Sequence, residues 1–265
     1  MQPMNTEKMI NDSNSVMKVS ILSCLGDREE QQDSFSCFLD QDNGMVVICD
    51  GMGGHHGGAE ASRVAVDCFF DDFKNRDSNV KVGDQLLQSA TKSDKLISDL
   101  KDGNGAPLKA GSTCVSIVVN DGNLYWCSVG DSRAYLLRQD EFVQLTMDQN
   151  YSTVLKEKLE VGMISKEEFN KEKEKGEALI SYLGIGNLSL IDFNKSPVKL
   201  LKSDVIVMMT DGYYRLLPDE VMQRVISNFH NGEEALHVLE TKAKNVALSN
   251  KISRDNATMA IITIK

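Results

Sequence analysis

The sequence predicts an α+β fold in which two antiparallel β-sheets are covered by helices. Short apolar runs occur in groups separated by turn residues, which is typical of antiparallel strands. Pairs of helical patterns separate these groups, and strands rarely alternate with single helices, so a parallel sheet is disfavoured. No internal repeat or low-complexity linker divides the 265 residues. We therefore expect one domain over residues 16–265, after a flexible polar tail over residues 1–15.

A β-hairpin is predicted near the start of the chain. Residues 18–25 and 34–39 are short and mostly apolar, and an Asp-Asn-Gly turn leads from them into the apolar residues 45–49. Asn-Gly between apolar runs favours a hairpin because both residues tolerate positive φ. The turn has some likeness to a calcium loop, but Gly51 stands where such a loop needs its bidentate glutamate.

Helices and further strands follow in groups. Helical spacing of apolar residues predicts two helices, over residues 61–73 and 86–100. A second group of strands is then predicted at residues 113–119, 124–129, 134–137 and 142–145. A third group lies at residues 188–193, 198–201 and 205–210. Two more helices are expected after Pro218 and Gly232, and a last strand over residues 257–264.

A Lys/Glu-rich stretch over residues 151–175 interrupts the strands. Ser165 followed by Glu168 forms a capping-box pattern and predicts a short exposed helix. Two interpretations of this stretch stay open, namely a solvated helical face and a flap over a site.

The composition excludes several classes of protein. A formal net charge of −10 argues against nonspecific binding to nucleic acid or to anionic membranes. The six cysteines show no CxxC spacing, so we expect reduced core residues rather than a zinc or redox motif. No window approaches the roughly 20 apolar residues that cross a bilayer. We therefore expect a soluble, cytoplasmic protein.

Five aspartates stand at the edges of apolar runs, where a sheet can hold a carboxylate rigidly: Asp33, Asp50, Asp131, Asp211 and Asp255. Carboxylate and carbonyl oxygens suit magnesium or manganese rather than zinc. Each aspartate alone is more typical of turn chemistry, and spacing does not show that the five converge. The residues alone leave both interpretations open.

A glycine-rich loop, VVICDGMGGHHGG at residues 46–58, follows the second of these aspartates. It lacks the spacing of a dinucleotide fingerprint, and no Gly-Lys-Ser/Thr follows for a P-loop. Glycine here suits a close approach of the backbone to a ligand. His55 and His56 are tempting zinc ligands, but no partner motif exists, so loop or supporting roles are favoured.

Taken together, these motifs resemble bacterial members of the protein phosphatase 2C family, which are metal-dependent Ser/Thr phosphatases. Each block alone is weak, but their order and spacing over residues 28–258 are specific. The matching blocks are Arg28-x-x-x-Gln32-Asp33-Ser34, DGMGGH at 50–55, Gly57-Gly58, Ala61-Ser62, Gly111-Ser112-Thr113, VGDSRAYL at 129–136, Thr210-Asp211-Gly212 and Asp255-Asn256-x-Thr258.

The resemblance implies a four-layer α-β-β-α sandwich, with two antiparallel sheets flanked by pairs of antiparallel helices and a metal site at one end. Asp50 would bridge two manganese or magnesium ions, and the Gly51 carbonyl would bind one of them. Asp211 and Asp255 would complete the second ion. Asp131 would share a third, looser ion, so the family pattern implies two or three ions.

The resemblance also implies roles around these ions. Arg28 would hold the substrate phosphate, and Asp33 would act through metal-bound water. Thr113 and Asn256 would support the ligands, and residues 151–180 would form the flap.

The chain departs from the family pattern at three places. Asp148-Gln149-Asn150 replaces the usual Asp-His-Ser, and the stretch from Glu177 to Gly184 replaces the usual Asn…Thr-Arg-x-Leu-Gly of the flap. Both changes affect flap contacts and peptide preference rather than the metal ligands. Met52 stands where animal relatives have a histidine thought to protonate the leaving group, so the general acid is unassigned.

We therefore expect hydrolysis of phosphoserine or phosphothreonine through a metal-activated water. Five carboxylates and one guanidinium leave four negative charges, which two divalent ions would cancel, so metal should be obligatory. A phosphatase of small phosphomonoesters and a pseudophosphatase that binds phosphoproteins are the alternatives. The expected partners are phosphorylated proteins and a cognate Ser/Thr kinase, with a monomeric chain and no nucleic acid or membrane.

Overall fold

The structure is a computed structural model that describes residues 7–54, 56–229 and 231–265. Two antiparallel β-sheets lie face to face, and helices cover the outer face of each sheet. The α+β fold and the four-layer α-β-β-α sandwich are therefore confirmed.

The first sheet has six strands, and all of its pairings are antiparallel. In spatial order they are β1 (Glu7–Ser13), β2 (Met17–Cys24), β13 (Ala257–Ile264), β12 (Val205–Met209), β8 (Arg133–Arg138) and β9 (Glu141–Gln144).

The second sheet is built around a central path of five strands: β10 (Asp192–Phe193), β7 (Asn123–Val129), β6 (Cys114–Asn120), β4 (Gly44–Gly53) and β3 (Asp33–Leu39). Two short strands join it, since β11 (Val198–Lys199) pairs with β7 and β5 (Ala110–Ser112) pairs with β4. The predicted hairpin is confirmed, because β3 pairs with β4 from Leu39 opposite Gly44 to Asp33 opposite Asp50.

Helices cover both sheets. The second sheet packs against α1 (Gly57–Lys74) and α2 (Val82–Ser98), and the first sheet packs against α6 (Asp219–Asn228) and α7 (Gly232–Asn250). Three shorter helices are α3 (Tyr151–Glu160), α4 (Lys166–Glu172) and α5 (Asp211–Tyr214). Among the described residues, the helices are all too short or too polar to cross a bilayer.

The core has three layers because the strands are buried on both faces. In β13, Met259 and Ile261 face α6 and α7, whereas Ala260 and Ile262 face the other sheet. Successive strand residues point to opposite faces, so this strand reads as a continuous apolar run. All six cysteines are free within the described chain, as expected, and five are buried.

Two expectations are wrong. The expectation of a flexible tail over residues 1–15 is wrong from Glu7 onward, because β1 pairs along its whole length with β2. An edge strand needs only main-chain partners and one half-buried face, so its sequence carries little apolar signal. Residues 1–6 lie outside the described residues.

The strand expected over residues 188–193 is shorter than predicted, since only β10 (Asp192–Phe193) forms. The loop before it is held by buried Asp94, which accepts the Leu188 N–H at 3.2 Å.

Candidate metal centre

The five aspartates converge because antiparallel strands bring the end of one strand beside the start of the next. They lie on β3 and β4, or directly beside the ends of β7, β12 and β13. A cavity of about 800 Å³ at this edge is lined by Asp50, Asp131, Asp211 and Asp255. Its lining also includes Arg28, Gly51, Thr113 and Asn256. Asp33 is buried beside Asp50 and is the one predicted site residue that does not line the cavity.

Asp33 is held by two hydroxyl groups at the edge of the opposite sheet, from Thr258 on β13 and from Thr210 directly after β12. Thr258 Oγ1 and Thr210 Oγ1 both donate to Asp33 Oδ2, at 2.7 and 3.0 Å. Asp33 Oδ1 is buried and has no hydrogen-bond partner among the described residues. Burial raises the pKa of Asp33 to about 7, although the two threonines oppose this shift.

Asp50 is positioned through its main chain. The Thr113 N–H donates to the Asp50 carbonyl (2.8 Å), and the Asp50 N–H donates to Thr113 Oγ1 (3.0 Å). Ser112 Oγ also donates to the Asp50 carbonyl (3.0 Å), which leaves the carboxylate free to face the cavity. Desolvation and repulsion from Asp33 and Asp211 raise the pKa of Asp50 well above its ordinary value.

Gly51 is required by packing against the protein itself. A Cβ at this position would lie 2.0 Å from the Gly58 carbonyl oxygen and 2.7 Å from the Gln32 carbonyl oxygen. The start of α1 and the strand β4 therefore approach each other at a distance that only glycine allows. Gly51 also lines the cavity, so close packing against neighbouring backbone and a role of its carbonyl at the site are compatible.

Two arginines neutralise two of the aspartates. Arg28 Nη2 donates to Asp255 Oδ2 at 2.6 Å. Arg215 Nη2 lies 2.8 Å from Asp211 Oδ2, and Arg215 Nη1 lies 3.3 Å from Glu177 Oε2. Sequence reasoning missed Arg215, although its position four residues after Asp211 was a usable signal, since residues four apart share a helix face.

Asp131 and Asp211 are buried close enough to repel each other. Burial raises the pKa of Asp211 to about 6, and Asp131 contributes to that shift by repulsion. Asp131 itself is buried, which raises its pKa, and Arg215 is the strongest of the groups that lower it. Asp211 Oδ1, like Asp33 Oδ1, is buried without a hydrogen-bond partner in the described chain. Buried, mutually repelling carboxylates with free oxygens suit hard divalent cations.

The aspartates are spread too widely to form one compact three-carboxylate site. Among the described residues, Glu7, Cys24 and Glu240 are the group whose candidate ligand atoms all lie within 4.8 Å of one another. That group carries its own cations, since Lys244 pairs with both glutamates and Arg254 pairs with Glu240. Burial also raises the pKa of the Cys24 thiol to about 12. It is therefore an ion-pair network and not a metal site.

Glu240 is a second functional residue that sequence reasoning missed. This buried carboxylate on α7 accepts from Arg254 Nη2 (2.8 Å) and from the Tyr213 hydroxyl (3.0 Å). Tyr213 follows Asp211 by two residues, and Arg254 directly precedes Asp255. One side chain therefore fixes both segments that deliver these aspartates. An acidic residue on the apolar face of α7 was the available signal.

The histidines of the glycine loop do not join the aspartates. His56 has a φ of 65°, is exposed, and pairs through Nδ1 with Glu30. His55 lies outside the described residues. The structure therefore gives no support to zinc ligation by His56.

The stretch proposed as a flap touches the cavity only at its end. Residues 177–179 contribute to the lining, whereas α3 and α4 lie outside it. The departure at residues 148–150 has structural uses, because Asp148 pairs with Arg133 (2.7 Å) and Asn150 caps α3. Gln149 is buried, and its Oε1 accepts the Gly130 N–H at 2.9 Å.

Known proteins share this sequence pattern and fold. The family model for Protein phosphatase 2C matches residues 22–248. The chain is 28% identical to the serine/threonine phosphatase stp of Listeria monocytogenes over 243 residues, which cover 89% of this chain and 90% of that relative.

Solved structures give the same result for the fold. A serine/threonine phosphatase of S. agalactiae superposes with a TM-score of 0.80 at 24% identity, covering 94% of this chain and 100% of that chain. The catalytic domain of PstP, solved in complex with two manganese ions, superposes with a TM-score of 0.74 at 21% identity, covering 94% of this chain and 98% of that chain. At these identities the structural likeness establishes the shared fold.

Proposed function

The chain belongs to the protein phosphatase 2C family, and from that premise we propose that it is a metal-dependent protein serine/threonine phosphatase. The observation that carries this proposal is the convergence of five aspartates from five separate segments of the chain. Four of them line one cavity, and Asp33 is buried beside Asp50. Two of them keep a buried carboxylate oxygen without a hydrogen-bond partner among the described residues. Such oxygens are costly to bury unless a cation binds them.

We assign the ligands as follows. Asp50, the Gly51 carbonyl, Asp211 and Asp255 would together hold two divalent ions. The free Oδ1 of Asp211 supports this assignment. When bound, manganese or magnesium ions activate the attacking water and screen the charge of the phosphate.

The protein's own groups position the reactants. Asp33 accepts from two threonines through Oδ2, which leaves its buried Oδ1 without a hydrogen-bond partner in the described chain and able to accept from a water held beside Asp50. Arg28, at the cavity wall, binds the phosphate oxygens with a guanidinium that is always charged. Thr113 and Asn256 hold the main chain of Asp50 and Gln32, at 3.0 and 2.8 Å. Met52 lines the cavity and has no proton to give, and we assign protonation of the leaving alkoxide to a water molecule.

The remaining assignments concern the cellular setting. Phosphorylated Ser/Thr proteins are the proposed substrates, a cognate Ser/Thr kinase is the proposed partner, and the chain acts as a monomer in the cytoplasm. Six free cysteines are consistent with a reducing compartment. Residues 151–180 are the proposed flap, and the lining by residues 177–179 supports that role.

The decisive experiment measures phosphate release from a phosphothreonine peptide with manganese, with magnesium and with a chelator. We expect turnover with either ion and none with the chelator. Sugar phosphates serve as the matched small substrates and should be hydrolysed more slowly. Faster hydrolysis of sugar phosphates would favour a small-molecule phosphatase, and peptide binding without turnover would favour a pseudophosphatase.

A further inference from the structure

We propose that the Arg215 guanidinium is a built-in cation beside Asp211 that prevents a third metal ion from binding near Asp131 and Asp211. The chain would then hold two divalent ions and not three. This inference rests on the proposed function, because it assumes that the aspartate cluster is a metal centre. Its subject is Arg215, to which neither the family pattern nor the sequence assigned a role.

The two carboxylate oxygens of Asp211 are already divided between two tasks. Oδ2 is held by Arg215 Nη2 at 2.8 Å, whereas Oδ1 is buried and has no hydrogen-bond partner in the described chain. One oxygen is therefore available for a metal ion, and the other is engaged by a cation that the protein supplies. A third ion that used Oδ2 would have to displace the guanidinium.

Asp131, Asp211 and Arg215 all line the same cavity. The two aspartates are buried there. Arg215 is therefore a cation that the protein itself supplies beside these two carboxylates.

Arg215 is tethered at this place. Its N–H donates to the Asp211 carbonyl at 3.1 Å, so both residues belong to the same tight turn. The preceding Tyr214 ring packs against the Arg133 guanidinium at 3.7 Å, which anchors the turn on the first sheet. Glu177 lies 3.3 Å from the other nitrogen of Arg215. A tethered cation competes with a free ion at a high effective concentration.

The guanidinium also opposes a third ion directly. An ion seated beside Asp131 and Asp211 would lie against the positive charge that already contacts Asp211 Oδ2 at 2.8 Å. Like charges at such short range repel each other, so the binding of that ion would be weakened.

The experiment counts bound manganese per chain by isothermal titration and by anomalous diffraction, in the absence of substrate. We expect about two ions in the wild type and about three in Arg215→Met, which keeps the bulk of the side chain but loses its charge. Arg215→Lys is the matched control that retains a cation, and it should stay at about two ions.

Glu177→Gln tests whether the contact to the flap, and not the charge near Asp211, limits the number of ions. It should also stay at about two ions, because it leaves the guanidinium in place. Three ions in the wild type, with one between Asp131 and Asp211, would overturn the proposal even if Arg215→Met fails to fold. So would a folded Arg215→Met that still binds two ions with unchanged affinity. Two bound ions without phosphopeptide turnover would contradict the proposed function and leave this inference standing.

Discussion

The aspartate cluster and the flap are built in opposite ways. Asp33 is fixed by hydroxyl groups of Thr258 and Thr210 at the edge of the opposite sheet, and the main chain of Asp50 is fixed by residues 112 and 113. In the flap, α3 buries only Leu155, and α4, which the structure describes throughout, buries no side chain. The cluster is therefore part of the cooperative core, whereas the flap is tied to it by few contacts.

The departures from the family pattern do not follow this division. The aspartate motifs match the pattern, but residues 148–150 and 177–184 do not. Both departing segments contain buried side chains, namely Gln149 and Asn150 in the first and Ser181 and Leu183 in the second. Residues 177–179 also line the cavity, so substitution there changes the surface offered to a substrate.

The largest expected effect is that of Asp50→Asn. Losing the bridging carboxylate should lower kcat/KM on a phosphopeptide by about a thousandfold or more, equivalent to about 4 kcal/mol. The melting temperature in chelator should not fall, because the carboxylate is repelled by Asp33 and Asp211 in the metal-free protein.

The control for this variant is Asp42→Asn, at the opposite, exposed end of the same hairpin, which should keep full activity. Near-normal turnover in Asp50→Asn would show that the strand-end aspartates do not carry the chemistry. The contrast between cluster and flap would then have no functional meaning.

A second large effect should come from Glu240→Ala. The change leaves the buried Arg254 without its partner, so the free energy of unfolding should fall by about 3–5 kcal/mol. Manganese affinity should fall as well, because Asp211 and Asp255 lose a common anchor. Chemical denaturation and titration with manganese measure the two effects.

Exposed Glu234 lies on the same helix, and Glu234→Ala should change neither quantity appreciably. If the free energy of unfolding of Glu240→Ala equalled that of the wild type, Glu240 would not anchor the segments that carry Asp211 and Asp255. The cluster would then resemble the flap more closely than the contacts suggest.

The strand ends could be predicted because turn residues and apolar runs are local signals. The convergence of the five aspartates was implied only by the family resemblance, because spacing along the chain does not show which strand ends meet. The strand 257–264 and the hairpin at residues 42–44 were found at their observed positions.

Arg215 and Glu240 could not be placed from the sequence in this way. Their roles depend on tertiary partners, and a charged residue on a helix is usually a solvated surface residue. The strand β1 was missed for a related reason, since its partners are main-chain groups of β2 and not side chains.

A smaller effect concerns pH in the metal-free protein. Burial raises the pKa of Asp33 to about 7 and that of Asp211 to about 6, above their ordinary value of 3.8. The folded state therefore binds protons that the unfolded chain releases. The resulting stabilisation is complete at low pH and is lost as the pH rises through 6 and 7.

In chelator, the melting temperature should therefore rise by about 3 °C or more when the pH is lowered from 8 to 5.5. With saturating manganese the trend should reverse, because protons then compete with the ions for the carboxylates. Calorimetry at both pH values measures this. If the melting temperature in chelator fell on acidification, the folded state would not raise the pKa values of these aspartates.

The smallest expected effect compares one capping interaction in each region. Ser165 caps α4 by accepting the Glu168 N–H (3.2 Å), and Asn231 caps α7 by accepting the Glu233 N–H (3.1 Å). Either change to alanine removes a cap worth about 1 kcal/mol to its own helix. Because α7 packs on the first sheet, Asn231→Ala should lower the global free energy of unfolding by about that amount. Ser165→Ala should lower it by less than about 0.5 kcal/mol and instead speed amide exchange in residues 166–172 about fivefold. If both variants lost the same global free energy of unfolding, the flap would unfold together with the sandwich. A helix outside the cooperative core lowers only its own local stability when it loses its cap.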